Sequence, residues 1–514
     1  MSTIAKSALW VTISEIVFNL SGFIIHAVLG RVLGPADYGR YGLVITLTTM
    51  IIILIGNGIP TAMAKYISEV FESSSKTVLN IKKRSIRLQI LIIGVITALF
   101  YLSAPLIANL LNDATLTPLF RLSTLIIPAF AAASFYFSYY TGLHQFNTQA
   151  TLKTVRSIFR IILVIILAYF WSVEGAISGY FAAPLMTFII AVLIDRFWIG
   201  KMIKQKALAE ESGRSLGQAR DDKSFPWQKL VNYAWQVVIF FLAYELLISI
   251  DLYLVKALLR SDELTGIYNS ALTAGRIPYY IFYAMTIFML PMVSKASANG
   301  NFKNAGPLIA QALRMMLILL MPMIVLMSFY ATETLTLLYG KNYASGAMAM
   351  SVLEYGVGFL TIFYVLSFAL NGAGKTKLAM GIATIGVIVN VILNYFLILR
   401  FGIVGSALAT TITSFLIMLV ALFYIKRDFG AGINFWEFLK VGFGGILCFA
   451  IATQLPTGRW LFLINSFIIF VIYLGVLYLL KGITKKDLEY FRGLLKSQKK
   501  EEVEAELSGN EPGA

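Results

Sequence analysis

Residues 141–179 read TGLHQFNTQATLKTVRSIFRIILVIILAYFWSVEGAISG, and 230 positions later residues 371–409 read NGAGKTKLAMGIATIGVIVNVILNYFLILRFGIVGSALA. Gly142 falls on Gly372 and Gly175 on Gly405 without a gap. Each copy holds a polar turn, an apolar run, a second short turn and the start of another apolar run. A looser pair, DYGRYGL at 37–43 and LTGIYNSAL at 264–272, recurs at an offset of 227. Each of these is followed by a proline and then a lysine, Pro60 with Lys65 and Pro291 with Lys295. Short turns between apolar runs can look alike by chance, but duplication is the better reading.

The apolar runs decide what the duplicated unit is made of. About 20 mostly apolar residues cross the roughly 30 Å hydrocarbon core as one helix. Fourteen stretches qualify: 8–29, 40–66, 86–111, 118–142, 150–171, 175–198, 231–257, 266–292, 308–330, 346–370, 378–400, 404–425, 436–455 and 460–480. Of the 514 residues 58% are apolar and 13% charged, which excludes a single soluble core. The first stretch carries Glu15 and Asn19 and lacks an A-x-A site, so it reads as a retained span rather than a signal peptide.

The expected fold is an all-α polytopic membrane protein of about 14 transmembrane helices, two parallel six-helix lobes around a central cavity plus two C-terminal helices. The expected division is an N-terminal six-helix lobe over 1–199, a cytoplasmic connecting loop over 200–230, a C-terminal six-helix lobe over 231–425, two additional transmembrane helices over 426–480 and a polar cytoplasmic tail over 481–514. Parallel halves related by an axis along the membrane normal are a transporter design, with the substrate site between them.

Lys and Arg number 42 against 26 Asp and Glu. With the N-terminus inside, 33 of the 42 fall on cytoplasmic connections and 8 on outer ones, leaving Arg276 within a span. That is the positive-inside bias, with attraction to anionic membrane lipids as a by-product. No nucleic-acid partner is needed to explain the charge. Arg156 and Arg160, counted on the inside, read as snorkelling toward headgroups. One cysteine, Cys448, and two histidines, His26 and His144, rule out a disulfide framework and leave no metal site.

Ionisable groups deep in a span default to functional candidates. Glu15, Asn19, Gly22 and His26 share one face of span 1. Span 7 carries Glu245, Ser249 and Asp251, and span 10 carries Glu354 near its outer part. Span 8 carries Arg276 with Tyr279, Tyr280 and Tyr283 at helical spacing, a cationic and aromatic stripe. Arg276 is too deep to snorkel and reads as a cavity residue, the alternative being an internal pair with Glu245 or Asp251. Asn390 and Asn394 in span 11 read as interhelical hydrogen bonds rather than ligands. The candidate substrate-binding residues are Arg276, Tyr279, Tyr280, Tyr283, Glu15, Asn19 and His26. The candidate coupling residues are Glu15, Glu245, Asp251 and Glu354.

Two tempting motifs fail. ALNGAGKT at 369–376 satisfies a relaxed phosphate-loop pattern, but a phosphate loop follows a strand within an α/β domain, and here apolar spans flank it. Asp221 and Asp222 sit among Arg220 and Lys223 and read as a solvated run. The outer connections are too short for an active-site domain. No enzyme chemistry and no cofactor are expected, and an ion gradient or the membrane potential is the implied energy source.

GRVLGPADYGRYGL at 30–43, IDLYLVKALLRSDELTGIYNSALTAGRIP at 250–278 and NGAGKTK at 371–377 resemble the polysaccharide-synthesis flippase family of the multidrug/oligosaccharidyl-lipid/polysaccharide exporter superfamily. The resemblance spans nearly the whole chain. It implies two six-helix bundles working by alternating access on a polyprenyl-phosphate- or diphosphate-linked glycan, with glycan polymerase or ligase machinery as further partners. In the lipid II branch several arginines line the cavity, and Arg276 matches the one in span 8. Span 2 has Ile51, Ile52 and Ile53 where another arginine is expected, and span 1 offers Glu15, departures that point to a related lipid-linked glycan rather than lipid II. The alternative is a cation-coupled multidrug exporter of the same superfamily, which would use Glu15, Glu245 and Asp251 for ion exchange. Spans 13 and 14, as extra apolar surface for a lipid tail, and Arg276, as a partner for an anionic diphosphate, favour the flippase.

Overall fold

The computed structural model describes residues 3–56, 58–71, 74–212, 227–297, 301–458 and 460–483. Among these residues there are helices and turns and no strands. In chain order the helices are α1 Thr3–Gly56, α2 Ile59–Val70, α3 Ser75–Leu110, α4 Leu116–Ser123, α5 Ile126–Gly142, α6 Phe146–Ile194, α7 Gly200–Ser212, α8 Trp227–Leu259, α9 Asp262–Gly275, α10 Ile277–Ala296, α11 Gly306–Phe329, α12 Ala331–Leu338, α13 Ala347–Gly372, α14 Thr376–Phe429, α15 Phe435–Ala452 and α16 Leu461–Leu479. Nine segments among the described residues are long and apolar enough to cross a membrane. Three of them, in α1, α6 and α14, are two spans joined at a non-helical residue. With α8 and the α9–α10 pair, the fourteen expected stretches are all accounted for.

Large apolar side chains lie bare along the outer helices: Leu102 of α3 is 73% exposed and Leu479 of α16 is 80% exposed. A water-soluble surface would not tolerate this, whereas a hydrocarbon surround solvates it. The 36-residue α3 is about 54 Å long, well beyond the hydrocarbon core, and its first turns are polar, with Ser74 capping Thr77 N–H at 3.3 Å.

The contacts divide the chain into two compact units, Met1–Leu33 with Arg40–Glu245, and Gly34–Gly39 with Leu246–Ala514. The division therefore falls inside α8, and the hexapeptide Gly34–Gly39 groups with the later part of the chain. The duplication is visible in the backbone of each unit. Ser172 breaks α6 at φ 48, ψ −129, and 230 residues later Gly402 breaks α14 at φ 58, ψ −139. His144 and Gly374, at the same offset, both take positive φ in the turns before these helices. Gly175 and Gly405 each pack on the carbonyl eight residues back, Leu167 and Leu397.

The helices depart from the expected stretches in three places. Span 2 is interrupted before Pro60, separating α1 from α2. Span 4 is divided into α4 and α5. Span 8 is not continuous: α9 ends at Gly275 and α10 begins at Ile277, with Arg276 at φ −80, ψ −2 between them and Pro278 in the first turn of α10. Proline lacks an N–H and crowds the preceding turn, so the helix restarts there. The connection after α11 also holds α12 and a 3₁₀ turn at Lys341–Gly346. The expected loop at 200–230 is helical where it is described, with α7 over Gly200–Ser212 and the start of α8 from Trp227, because α7 continues the helical course of α6. Residues 213–226 and nearly all of the tail at 481–514 lie outside the described residues.

Candidate functional site

In the first unit the polar centre is built on α6. Lys153, Arg156 and Arg160, at i, i+3 and i+7, share one helical face. Arg156 and Arg160 are 4% and 5% exposed. They stand 10 and 14 residues into α6, about 15 and 21 Å from its start. The snorkelling expected of them is wrong, because the helix begins at Phe146 and carries them into the packed interior. Without the three basic residues of this stretch, thirty inside charges still face eight outside ones.

The span-1 face meets this stripe. Lys153 pairs with Glu15. Arg160 donates to Ser21 and, at 2.9 Å, to the Phe18 carbonyl. A Cβ on Gly22 would stand 3.7 Å from the same guanidinium. Arg156 lies over the rings of Phe18, Phe130 and Phe137 at 5.1, 4.5 and 4.7 Å. Asn19 and His26 are half-buried, His26 edge-on to Tyr41 at 5.9 Å.

In the second unit the polar centre is a carboxylate. Asp251 of α8 is fully buried and accepts from Tyr268 at 2.7 Å, Thr410 at 3.3 Å and the Leu252 N–H at 2.9 Å. Asn390 donates to Thr410 at 3.3 Å, Asn394 to Asn390, and Ser406 to Asn394 at 2.7 Å. The two asparagines thus bridge the arms of α14 across the Gly402 break, as interhelical hydrogen bonds do. Arg276, half-buried at the α9–α10 break, donates to the Ile248 carbonyl, one turn before Asp251. Tyr279 packs edge-on to Tyr280 at 5.5 Å and to Tyr364 at 5.3 Å, and Tyr280 is 40% exposed. The Tyr283 side chain lies outside the described residues.

Glu245 is half-buried, while Glu354 is 0% exposed. Neither carboxylate oxygen of Glu354 has a hydrogen-bond partner among the described residues, and the group faces Gly275, where a Cβ would come within 3.4 Å. The lysine of the phosphate-loop look-alike, Lys375, pairs with Asp428 at 2.6 Å and lies 4.4 Å from the Phe302 ring, which ties the turn to the end of α14.

A twice-repeated set of transmembrane helices, each copy carrying a polar centre inside an apolar bundle, is the construction of a membrane transporter. A family model described as "Polysaccharide biosynthesis protein" matches residues 4–297, more than half of the chain. The chain belongs to that family, which lies among the flippases of the multidrug/oligosaccharidyl-lipid/polysaccharide exporter superfamily. A second model, MatE, matches residues 237–396. Stage V sporulation protein B of Bacillus subtilis is 24% identical, over 85% of this chain and 86% of its own. Lipid II flippase MurJ of the same organism is 24% identical, over 78% of this chain and 77% of its own. A solved structure of lipid II flippase MurJ in an inward closed conformation has the same fold, with a TM-score of 0.68 at 18% identity, covering 92% of this chain and 99% of that one.

Proposed function

We propose that this protein is a flippase that carries a polyprenyl-phosphate- or diphosphate-linked oligosaccharide from the inner to the outer leaflet by alternating access, for cell-surface polysaccharide or glycan assembly. It works in the cytoplasmic (inner) cell membrane with both termini cytoplasmic, and glycan polymerase or ligase machinery uses its product. It needs no cofactor and is driven by an ion gradient or the membrane potential.

The observation that carries this reading is Arg276, a half-buried guanidinium held at the break of a transmembrane helix by the Ile248 carbonyl. A guanidinium forks onto phosphate oxygens through two parallel charge-assisted bonds and repels an organic cation. Tyr279 and Tyr280, in the following turn, offer rings and a hydroxyl to the adjoining sugar. Asp251 is the coupling residue best supported, since its buried carboxylate is met by the hydroxyls of Tyr268 and Thr410, whose oxygens can share a proton or a small cation with it.

A cation-coupled multidrug exporter is the second reading, favoured by the buried carboxylates of Asp251 and Glu354 and by the MatE match over 237–396. Proteoliposomes offered a fluorescent polyprenyl-diphosphate sugar and ethidium separate the two. The flippase reading expects the lipid-linked sugar to move and ethidium to stay; the reverse result overturns it.

A further inference from the structure

Among the described residues, α6 buries two guanidinium groups, Arg156 and Arg160, that no carboxylate pairs with. Lys153, Arg156 and Arg160 stand on one face of α6, and Glu15 pairs with Lys153. Arg160 has two oxygen acceptors on span 1 and donates to Tyr180 at 3.4 Å, yet its Nε has no partner among the described residues. Arg156 is barer: neither its Nε nor its Nη1 has a hydrogen-bond partner there. Its neighbours are the faces of three phenylalanines, which attract a cation but accept no N–H in its plane. Guanidinium groups this deep in a membrane bundle are normally met by carboxylates or backbone carbonyls, and unpaired donors are a liability unless a ligand completes them.

The duplication supplies a second, independent observation. Arg160 and Tyr180 fall on Asn390 and Thr410 at the offset of 230, and both pairs are hydrogen bonded, at 3.4 and 3.3 Å. In the second copy that pair leads to the carboxylate of Asp251, so the centre is acidic. In the first copy the same place is lined by cations. One architectural position therefore carries opposite charge in the two copies, which a purely structural hydrogen bond between helices does not require.

We infer that Lys153, Arg156 and Arg160 form an oxyanion seat in the N-terminal unit that takes a phosphate ester. The free edge of Arg156 and the free Nε of Arg160 supply in-plane donors, Lys153 adds a point charge, and Glu15 holds that lysine while the seat is empty of ligand. The phosphate comes either from a transported lipid-linked sugar or from the headgroup of a resident anionic lipid. Only the first source rests on the flippase reading; the binding itself does not.

The test uses the full-length protein in detergent and in nanodiscs. Phenylglyoxal modification, mapped by peptide mass spectrometry, reads the accessibility of Arg156 and Arg160 in the wild type without any substitution. Inorganic pyrophosphate and farnesyl diphosphate are expected to protect both arginines. Protection by farnesyl diphosphate but not by phosphatidylglycerol nanodiscs identifies the transported lipid as the source. Protection by phosphatidylglycerol alone identifies a resident headgroup. The double variant Arg156→Gln/Arg160→Gln is expected to bind pyrophosphate at least tenfold more weakly, while Lys341→Gln, an exposed cation in the second unit, binds it as the wild type does. Absence of protection by all three probes, or unchanged pyrophosphate binding by the double variant, overturns the seat even where lipid-linked sugar is still flipped. Protection without any flipping would instead keep the seat and sink the flippase reading.

Discussion

Gly39 and Gly266, equivalent positions in the two copies, lie against one another: a Cβ on Gly39 would meet the Gly266 nitrogen at 2.7 Å, and one on Gly266 would meet the Gly39 nitrogen at 2.9 Å. The contact places the Gly34–Gly39 hexapeptide on α9. The backbone turns into this segment at Gly34, with φ 73, and Pro35 opens the next helical turn. Beside the glycines, Tyr38 packs on Tyr339 at 5.6 Å and on Tyr343 at 6.0 Å, all three of them buried. The GPADYG sequence is therefore a packing motif as much as a turn.

That contact predicts opposite effects for one kind of substitution. Gly266→Ala forces two backbones apart and should destabilise by about 1–3 kcal/mol. Gly94→Ala, in the middle of α3 with nothing within 4 Å of its would-be Cβ, should stabilise by up to about 1 kcal/mol through backbone entropy. Thermal unfolding of the purified variants in one detergent measures both, and an equal response would refute the close approach.

How much of this was legible in the sequence follows from what a sequence can encode locally. Apolar runs gave the spans, and the paired glycines at 142, 372, 175 and 405 gave the duplication. The break at Gly402 could be read from a glycine between two apolar runs. Its counterpart at Ser172 falls in the short interval between the stretches 150–171 and 175–198, although nothing about serine itself announces positive φ. The break at Arg276 was signalled by Pro278, two residues on, but a single apolar run over 266–292 hid it. Arg156 and Arg160 were misjudged because burial depends on where α6 starts and which helix covers it. Their spacing with Lys153 on one face was the available clue.

Glu15 is the carboxylate paired with Lys153, so Glu15→Gln keeps the shape and removes the neutralising charge. Insertion should remain nearly normal, while transport falls severalfold and changes its dependence on pH and sodium. Comparing protein abundance with transport across a pH and sodium series checks this. Wild-type transport throughout would remove Glu15 from the mechanism.

Asp251→Asn retains an oxygen to accept from Tyr268 but has no charge to bind a coupling ion. Downhill movement of substrate should survive, and acceleration by an imposed sodium or proton gradient should be lost. Proteoliposomes with and without the gradient provide the measurement; a variant that still accelerates would clear Asp251 of coupling.

The charge bias predicts sidedness at described positions. In a Cys448→Ala background, Asn301→Cys should react with a membrane-impermeant maleimide only from the cytoplasmic side, and Lys341→Cys only from outside. Both positions are exposed. Labelling from the opposite side would invert the topology.

The central claim is that a guanidinium at the α9–α10 break receives the phosphate of a lipid-linked sugar. The most direct measurement is the translocation of a fluorescent polyprenyl-diphosphate sugar in proteoliposomes by the wild type, Arg276→Ala and Arg276→Lys at matched protein density. Two charge-assisted bonds of about 1.5–3 kcal/mol each are at stake, so Ala should lower the rate far more than tenfold. Lys should retain part of the rate, because it keeps the charge and loses the fork. Translocation by Arg276→Ala at the wild-type rate would contradict the account.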